Sequence, residues 1–463
     1  MKPNLSITRN APAILLLLTL ALPGTMSGQP DASRAAARPA PGWVRDGVIY
    51  EIFPRQFSPE GNFNGITAKL DELKDLGVNV LWLMPIHPIG ETLRKGTLGS
   101  PYAVRDYYAI NPDLGSADDF KRLISEAHKR DMKVIIDIVA NHTAWDNVLI
   151  KSNPEFYKHD ASGKIVPPVP EWTDVAGLDY SNPKMRRYMI TMLQYWLKEF
   201  DLDGFRCDVA HMVPVDFWNE ARVELDKTKR DIVMLAEASQ PPLLTNAFDI
   251  DYSWPMLATL NNVMLHSAPA SDIQRSWEES VQQFPKGSLH MRMTDNHDEA
   301  RAVARYGIRG ATAASVTMFM LDGVPLLYNG MEVGDATESG DPALFEKLPV
   351  FWKPKERPPL RDIYRDLIKL RKQYAALRGG QVTWLKNSNP GDLVTFMRSD
   401  DKDEFVIVVN LSNRAVSGSA EIKNSQSFKP VRISGMPEAP AGGFPNFRLN
   451  GFEWRIYHRS VPQ

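Results

Sequence analysis

The chain has 463 residues, of which 43% are hydrophobic and 24% charged, and its 54 basic and 56 acidic residues give a formal net charge of -2. This composition is typical of a globular protein and excludes the disordered and fibrous classes. Because no excess of positive charge exists to attract phosphate groups, nucleic acid is not an expected partner.

The first 28 residues have the pattern of a secretory signal peptide. Lys2 and Arg9 precede an apolar run at 11–22, and small residues follow at positions 25, 27 and 28. The run is shorter than the roughly 20 residues that span a bilayer, which disfavours a membrane anchor. We therefore expect export to the periplasm or the extracellular space, with no membrane span in the mature chain.

Residues 29–41 are rich in Pro and Ala and have no apolar periodicity, so they are predicted to be a spacer before the fold. Cys207 is the only cysteine, which excludes a disulfide within the chain. Its place in a strand-like run predicts a buried core residue rather than a nucleophile.

From Trp43 onward, short apolar segments rich in β-branched residues alternate with longer amphipathic ones. The short segments predict eight strands, at 48–53, 78–84, 133–139, 204–208, 232–237, near 248, 290–294 and 324–328. Helix patterns lie between them at 66–76, 117–130, 183–199 and 216–225. Strands buried on both faces and joined by helices predict an α/β fold, and eight of them favour a (β/α)8 TIM barrel over 42–378.

Two regions depart from this alternation. Residues 143–180, after the third strand, are rich in Pro and Trp and predict a short inserted domain at the carboxyl-terminal face of the barrel, where barrel active sites lie. After Gly380 the pattern has strands only, at 393–397, 404–409, 419–422 and 452–457. This predicts a C-terminal antiparallel β-sandwich domain over 379–463.

Polar side chains follow four of the predicted barrel strands, and in a barrel these strand ends meet at one mouth. Alone, each would be typical of a helix cap or a solvated loop. Together they predict an active site, built from Asn141 and His142 after the third strand, Arg206 and Asp208 on the fourth, Glu237 on the fifth, and His297 and Asp298 after the seventh.

Asp208 and Glu237 end consecutive strands, which lie about 4.8 Å apart in a sheet. Two carboxylates there would be near the ~5–5.5 Å separation of a retaining glycosidase, and short of the ~6.5–9.5 Å of an inverting one. Arg206 faces the same way as Asp208 on a strand and would keep it ionised as the nucleophile. Glu237 follows the apolar run 232–236, surroundings that favour its protonated form as the general acid.

These residues resemble the four signatures of the α-amylase family of retaining glycoside hydrolases and transglycosylases. The matching motifs are Asp137-Ile-Val-Ala-Asn-His142, Gly204-Phe-Arg-Cys-Asp208, Glu237 and Asn296-His-Asp298. The resemblance covers residues 43–463, with further matching segments at 77–85, 100–102, 106–107, 177–180 and 323–330.

The resemblance implies that Asp208 is the nucleophile, Glu237 the acid/base, and Asp298 the carboxylate that fixes ring hydroxyls of the cleaved sugar. The implied substrate-binding residues are Tyr102, which would stack on the sugar, His142, Arg206 and His297. The implied activity is hydrolysis of α-1,4-glucosidic bonds in starch-like glucans or malto-oligosaccharides through a covalent intermediate, without an organic cofactor.

Calcium is the one metal that the resemblance suggests. Asn141 matches a position that ligates a structural calcium ion in many relatives, and Asp174 of the inserted segment could join it. In the alternative, Asn141 only orders its loop by hydrogen bonds to the backbone. The acid-rich calcium loop that some relatives carry after the first strand is absent, since residues 58–65 hold one carboxylate.

Some features depart from the family pattern. His211 and Met212 stand where many endo-acting members have Lys and His, and the loop 94–99 lengthens the approach to Tyr102. The inserted segment is short, and no starch-binding module or N-terminal β domain is evident.

Two other functions stay open: a transglycosylase or disaccharide-isomerising enzyme that forms the same intermediate, and a catalytically silent carbohydrate-binding scaffold. The presence of all three carboxylates disfavours the scaffold. The sequence leaves the oligomeric state and the chain-length preference open.

Overall fold

The computed structural model describes residues 31–353, 360–436 and 443–461. The predicted signal peptide, residues 1–28, lies outside these ranges and stays a prediction. Among the residues described, no helix is both long enough and apolar enough to cross a bilayer.

Residues 49–328 contribute the strands β1 (Ile49–Ile52), β2 (Val80–Leu83), β3 (Lys133–Ile138), β4 (His142–Ala144), β5 (Val175–Gly177), β6 (Gly204–Cys207), β7 (Val233–Ala236), β8 (Ile250–Tyr252), β9 (His290–Arg292) and β10 (Val324–Tyr328). All except β4 and β5 form a closed barrel in the order β1-β10-β9-β8-β7-β6-β3-β2. The paired barrel strands are parallel. The predicted (β/α)8 barrel is confirmed, and its eight strands are those that the sequence indicated.

Helices surround the barrel and fill its connections: α1 (Gly42–Arg45), α2 (Pro54–Phe57), α3 (Phe63–Thr67), α4 (Leu70–Leu76), α5 (Ala117–His128), α6 (Val148–Ser152), α7 (Pro183–Phe200), α8 (Val215–Thr228), α9 (Leu243–Asn246), α10 (Trp254–His266), α11 (Asp272–Gln283), α12 (Ala302–Met320), α13 (Asp341–Phe345) and α14 (Leu360–Gln373). Local signals set several helix starts. Ser116 and Asp119 form a reciprocal capping box before α5, and the Asn182 side chain caps α7, which begins with Pro183.

The inserted segment after β3 is built on a small antiparallel ladder. In it, β4 pairs with β5, and His142 lies opposite Gly177. The helix α6 and a single 3-10 turn at Pro154–Phe156 fill the connection between them. The segment therefore starts directly at Asn141 and His142, so the fold itself places these two residues at the mouth of the barrel.

The C-terminal region contains the strands β11 (Gln381–Trp384), β12 (Leu393–Ser399), β13 (Asp403–Asn410), β14 (Val416–Ser419), β15 (Lys429–Pro430), β16 (Asn446–Leu449) and β17 (Trp454–Ser460). Five strands form one antiparallel sheet in the order β11-β12-β13-β17-β15, and β14 pairs with β16. The apolar side chains of Leu393, Val406 and Leu449 pack in a common core. The predicted antiparallel β architecture is confirmed, but the strand placed at 419–422 ends at Ser419.

The described part of the predicted spacer is packed on the barrel. The backbone N–H of Ala37 donates to the Lys286 carbonyl at 2.9 Å, and the Arg38 guanidinium lies 2.8 Å from the Asp226 carboxylate. Part of the predicted spacer 29–41 therefore contacts the barrel, through Ala37 and Arg38. The sequence of this segment has no apolar periodicity because hydrogen bonds and an ion pair, rather than a hydrophobic face, attach it to the barrel.

Candidate active site

The strands β6 and β7 bring Asp208 and Glu237 to adjacent positions. Cys207 lies beside Ala236 in the ladder, and the Glu237 N–H donates to the Cys207 carbonyl at 3.0 Å, one step beyond the paired residues. Gly204 allows this close pairing: its φ is 144°, and a Cβ there would lie 1.9 Å from the Val233 carbonyl oxygen.

Arg206 is at the centre of the site and is 0% exposed. Its Nη1 lies 2.8 Å from Oδ1 of Asp137 and 3.0 Å from Oδ1 of Asp208. Its Nη2 lies 2.9 Å from Oε2 of Glu237. The sequence assigned Arg206 to Asp208 alone, whereas the guanidinium is shared among three carboxylates because all three strand ends face the same interior point.

Aromatic rings enclose this guanidinium. The Arg206 carbon Cζ lies 5.2 Å from the Trp82 ring centroid and 5.5 Å from that of Tyr252, and Arg206 Nε donates to the Tyr252 hydroxyl at 3.2 Å. Burial opposes the charge of Arg206, but Asp137 and the other acidic neighbours raise its pKa well above the usual value. Arg206 is thus a permanent cation.

The surroundings of Asp208 strongly perturb the pKa of its carboxyl group. Burial raises the pKa of its carboxyl well above the usual range, and the negative charge of Glu237 raises it further, while Arg206 opposes the shift. The sequence expected Arg206 to keep Asp208 ionised, but burial and the neighbouring acids outweigh the effect of Arg206 on this pKa. Clustered buried carboxylates with perturbed pKa values are a frequent property of catalytic sites.

Val209, the residue after Asp208, has a strained backbone. Its φ of 35° and ψ of 47° lie in the left-handed region, where a β-branched residue costs about 1–3 kcal/mol. In this conformation its N–H donates to Oε2 of Glu237 at 2.7 Å. The Glu237 side chain, which is 13% exposed, therefore contacts a backbone donor and Arg206 rather than the purely apolar surroundings that the sequence predicted.

His297 links Asp298 to the barrel interior. Its Nε2 lies 3.2 Å from Oδ1 of Asp298 and 2.7 Å from the Tyr102 hydroxyl, while its Nδ1 hydrogen-bonds Oε1 of Glu51. Burial lowers the pKa of His297, but Asp298 and Glu51 outweigh burial and raise it to about 9. Burial raises the pKa of Asp298 to about 6, with His297 opposing the shift.

Tyr102 belongs to the same network. Its hydroxyl donates to Oδ2 of Asp137 at 3.1 Å, and its ring stacks on the His297 imidazole with centroids 5.4 Å apart. Burial raises the pKa of Tyr102 well above the usual value, so the phenol keeps its proton and stays a donor. Its role in stacking on a sugar stays a prediction.

His142 lies at the edge of the site, where the inserted segment begins. Its ring packs against Trp172 of the same segment with centroids 5.4 Å apart. Burial lowers the pKa of His142 to about 4. His142 is therefore neutral at physiological pH, in contrast to His297.

The calcium expectation rested on Asn141 and Asp174, and in this structure both side chains have other partners. Oδ1 of Asp174 lies 3.0 Å from the Lys95 ammonium, and the Asn141 amide faces His142 at 3.3 Å and the sulfur of Met212 at 3.8 Å. Across 31–353, 360–436 and 443–461, no group of three His, Cys, Asp or Glu side chains could hold a metal ion. Calcium prefers six to eight oxygen ligands, and here a cationic side chain already neutralises the one carboxylate.

Glu51 was missed by sequence reasoning, although it is 0% exposed and contacts His297. A signal was present, since Glu51 is the one charged residue in the apolar strand Ile49-Tyr-Glu-Ile52. Buried carboxylates are rare unless they are paired. Cys207, as predicted, is buried, and burial raises the pKa of its thiol well above the usual value, so it is not a nucleophile.

Comparison with known proteins identifies the family. A family model described as "Alpha amylase, catalytic domain" matches residues 32–161 and 171–403. The chain therefore belongs to the α-amylase family, and it is a glycoside hydrolase. This confirms the resemblance that the four sequence signatures indicated.

Individual relatives are similar over most of this chain. It is 31% identical over 403 residues to the α-amylase MalA of Haloarcula japonica, covering 82% of this chain and 58% of that protein. It is 28% identical over 421 residues to the intracellular maltogenic amylase of Bacillus subtilis, covering 81% of this chain and 70% of that one. The crystal structure of the noncanonic maltogenic α-amylase AmyB from Thermotoga neapolitana matches with a TM-score of 0.80 and 31% identity, over 90% of this chain and 100% of that one.

Proposed function

We propose that this enzyme hydrolyses α-1,4-glucosidic bonds in malto-oligosaccharides or starch-like glucans, with retention of the α-configuration through a covalent glycosyl-enzyme intermediate. One observation carries the proposal: the Arg206 guanidinium contacts both Asp208 and Glu237, at 3.0 and 2.9 Å. Two carboxylates held by one guanidinium are close together, as in the pair of a retaining enzyme.

In the first step, an Asp208 oxygen attacks the anomeric carbon and the bond to the leaving oxygen breaks, while the Glu237 carboxyl gives its proton to that oxygen. In the second step, Glu237 takes a proton from water, the water oxygen attacks the anomeric carbon, and Asp208 leaves as a carboxylate. The surrounding negative charge stabilises the oxocarbenium-like transition state.

The remaining residues bind the sugar that is cleaved. Asp298 and the cationic His297, 3.2 Å apart, offer an acceptor and a donor to neighbouring ring hydroxyls. Tyr102 and the neutral His142 complete this subsite. The substrate class is supported by the names of the relatives, which are amylases and maltogenic amylases. The chain spans somewhat more than half the length of MalA, so activity and substrate remain part of the proposal.

The proposal includes export of the protein to the periplasm or the extracellular space. Its support is the sequence of residues 1–28, with two basic residues before the apolar run. The Bacillus subtilis relative is named as intracellular, which makes a direct test necessary. The full chain, expressed in a bacterial host, is expected in the periplasm or the medium with an N-terminus near residue 29. An uncleaved cytoplasmic protein would contradict export.

The test of the mechanism uses proton NMR on fresh maltotriose digests, where the first product is expected to be the α-anomer. Glu237→Gln is expected to lower the rate on maltotriose by about 10²–10⁴-fold, but to keep the glycosylation step on an α-glucosyl fluoride, with azide accelerating turnover. Glu299→Gln, a change at a neighbouring acid, is the matched control. A β-anomer as first product, or equal losses on both substrates without azide rescue, would refute the assignment.

The same digests separate hydrolysis from transfer. Glucose and maltose without longer products are expected from a hydrolase. Oligomers longer than maltotriose that form before glucose would identify a transglycosylase, which shares the intermediate but passes it to a sugar.

A further inference from the structure

A serine, a histidine and an aspartate form a second cluster outside the glycosidase site. Asp251 of β8 and His290 of β9 lie beside each other in the ladder, and Ser280 is in the last turn of α11. Nδ1 of His290 is 2.5 Å from Oδ1 of Asp251, and Nε2 is 3.1 Å from Oγ of Ser280. The three side chains form one hydrogen-bonded chain from a carboxylate to a hydroxyl.

This Ser280 cluster lies on the outer side of the barrel wall. The neighbouring Tyr252 points its hydroxyl at Arg206 in the barrel interior, and side chains alternate along a strand. Asp251 therefore points the other way, toward the helix layer that contains α11. The Ser280 cluster is separated from the Arg206 site by the sheet itself.

The order of the hydrogen bonds is the one that activates a serine nucleophile. A carboxylate holds Nδ1 of the imidazole, so that Nε2 is available to accept the hydroxyl proton. Phe284 packs edge-on against the His290 ring, with centroids 4.7 Å apart, and fixes its plane.

A purely structural connection between α11 and the barrel would not require a buried carboxylate such as Asp251. Asp251 is 0% exposed, and among the described residues its Oδ2 has no hydrogen-bond partner. A buried carboxylate carries a large desolvation cost, and a neutral side chain would connect α11 to the barrel without that cost.

Ser280 and His290 line a cavity of about 60 Å³. This volume holds about two water molecules, so the cavity accepts a group as small as acetyl. Arg292 lines the same cavity and uses three of its five N–H groups in bonds to Ser253 and Asp322. Met256, in the first turn of α10, also lines the cavity, and its N–H has no intrahelical acceptor. Such donors suit a developing oxyanion.

We propose that Ser280, His290 and Asp251 form a second catalytic site, which hydrolyses short acyl esters. Oγ of Ser280 attacks the acyl carbon while Nε2 of His290 takes the hydroxyl proton. The ester C–O bond then breaks, and His290 returns the proton to the leaving alcohol. Water attacks the acyl-serine, gives a proton to His290, and the carboxylic acid leaves as Ser280 regains its proton.

The test uses the full protein carrying Asp208→Ala, which removes the glycosidase activity. A fluorophosphonate probe is expected to label Ser280 in a one-to-one ratio by peptide mass spectrometry, and p-nitrophenyl acetate is expected to be hydrolysed. Ser280→Ala should remove the label and lower ester hydrolysis at least about 100-fold. The matched control is Ser271→Ala, because Ser271 lies at the start of α11 without a side-chain cap hydrogen bond and is not among the residues that line the cavity, and it should keep both.

His290→Asn is expected to slow labelling of Ser280 at least about 10-fold, since the base is lost. In the protein that keeps Asp208, Ser280→Ala should leave maltotriose hydrolysis unchanged. This measurement shows that the variant is correctly folded. Absence of label on Ser280, or equal ester hydrolysis in the Ser280→Ala and Ser271→Ala variants, would overturn the proposal and leave the Ser280 cluster as a structural connection.

Discussion

Arg206 and Arg371 are both fully buried, yet they have opposite kinds of partner. Arg206 faces the carboxylates of Asp137, Asp208 and Glu237 at the barrel mouth. Arg371 of α14 donates to the carbonyls of Leu377 at 2.7 Å and Gly323 at 2.5 Å. Acidic neighbours raise the pKa of Arg206, whereas burial and the charge of Arg398 lower the pKa of Arg371 to about 9.

The comparison separates two uses of a buried cation. Arg371 donates hydrogen bonds to backbone carbonyls near the end of α14 and the start of β10. Carbonyl groups do not titrate, so this site has only a structural role. Around Arg206 the carboxylates repel each other, as the raised pKa of Asp208 shows. Repulsion among carboxylates lowers the stability of the folded protein, but it places negative charge where the reaction needs it. Loss of a carboxylate at the Arg206 site should therefore lower activity without lowering stability, and loss of Arg371 should lower stability without lowering activity.

The largest expected effect is at the Arg206 site. Asp208→Ala is expected to lower kcat on maltotriose by at least about 10⁴-fold, because no covalent intermediate can form. It should not lower the melting temperature, since it removes a carboxylate whose ionised form burial and Glu237 disfavour. Calorimetry and initial rates measure both. A clear loss of stability would show that Asp208 is a structural partner of Arg206, and Asp216→Ala on the exposed start of α8 serves as control.

Arg371→Met should give the reverse result. The Leu377 and Gly323 carbonyls would lose their buried donor, at a cost of about 3 kcal/mol in the free energy of unfolding. The kcat of the folded protein should be unchanged. Lys369→Gln on the exposed side of α14 is the control. If Arg371→Met lost activity while the melting temperature stayed constant, the assignment of a purely structural role would be wrong.

Glu51→Gln should change the pH dependence of the reaction. His297 has a pKa of about 9, above the usual value, so its charge is present at neutral pH and is lost as the pH rises through about 9. Asp298 has a pKa of about 6, so it is ionised above that pH. Their ion pair exists between these limits. Removal of the Glu51 charge should move the alkaline limb of kcat/KM to lower pH by at least about one pH unit.

The rate of the Glu51→Gln variant at pH 9 should fall about fivefold, because a one-unit fall from a pKa of about 9 lowers the charged fraction of His297 there from about one half to about one tenth, and a neutral His297 is the poorer donor to the sugar. Glu332→Gln is the control: Glu332 is a buried carboxyl that accepts from Tyr50 and does not contact His297. An unchanged alkaline limb, or the same shift in both variants, would rule out Glu51 as the residue that keeps His297 charged.

The barrel could be predicted because each strand is buried on both faces and is therefore a continuous apolar run. The polar residues that end such runs, Asp208 and Glu237 among them, converge by the geometry of a barrel alone. Even the short strand β8, three residues long, was indicated near its position.

Contacts between distant strands could not be predicted in the same way. Glu51 and His297 are 246 residues apart in sequence, and the pairing depends on the closure of β1 beside β10. The sharing of Arg206 among three carboxylates also depends on side-chain directions that strand alternation does not give. The contact of Asp174 with Lys95 of the loop 94–99 could not be predicted either, because loop paths leave no periodic signal.

The smallest expected effect concerns this Lys95–Asp174 pair, which joins the loop 94–99 to the inserted segment. Its nitrogen–oxygen distance is 3.0 Å, with Lys95 38% exposed, so solvent screens the interaction and Lys95→Ala should cost about 1 kcal/mol or less. Lys151→Ala, on the exposed face of α6, is the control for loss of a surface lysine.

Chelation by EDTA should change neither the melting temperature nor the rate of the unaltered protein, since the ammonium already neutralises Asp174. Calcium should bind the Lys95→Ala variant more readily than the unaltered protein, because only the variant leaves the carboxylate unpaired. A fall in melting temperature on adding EDTA to the unaltered protein would show instead that a divalent cation binds beside Asp174 and that the ammonium is displaced.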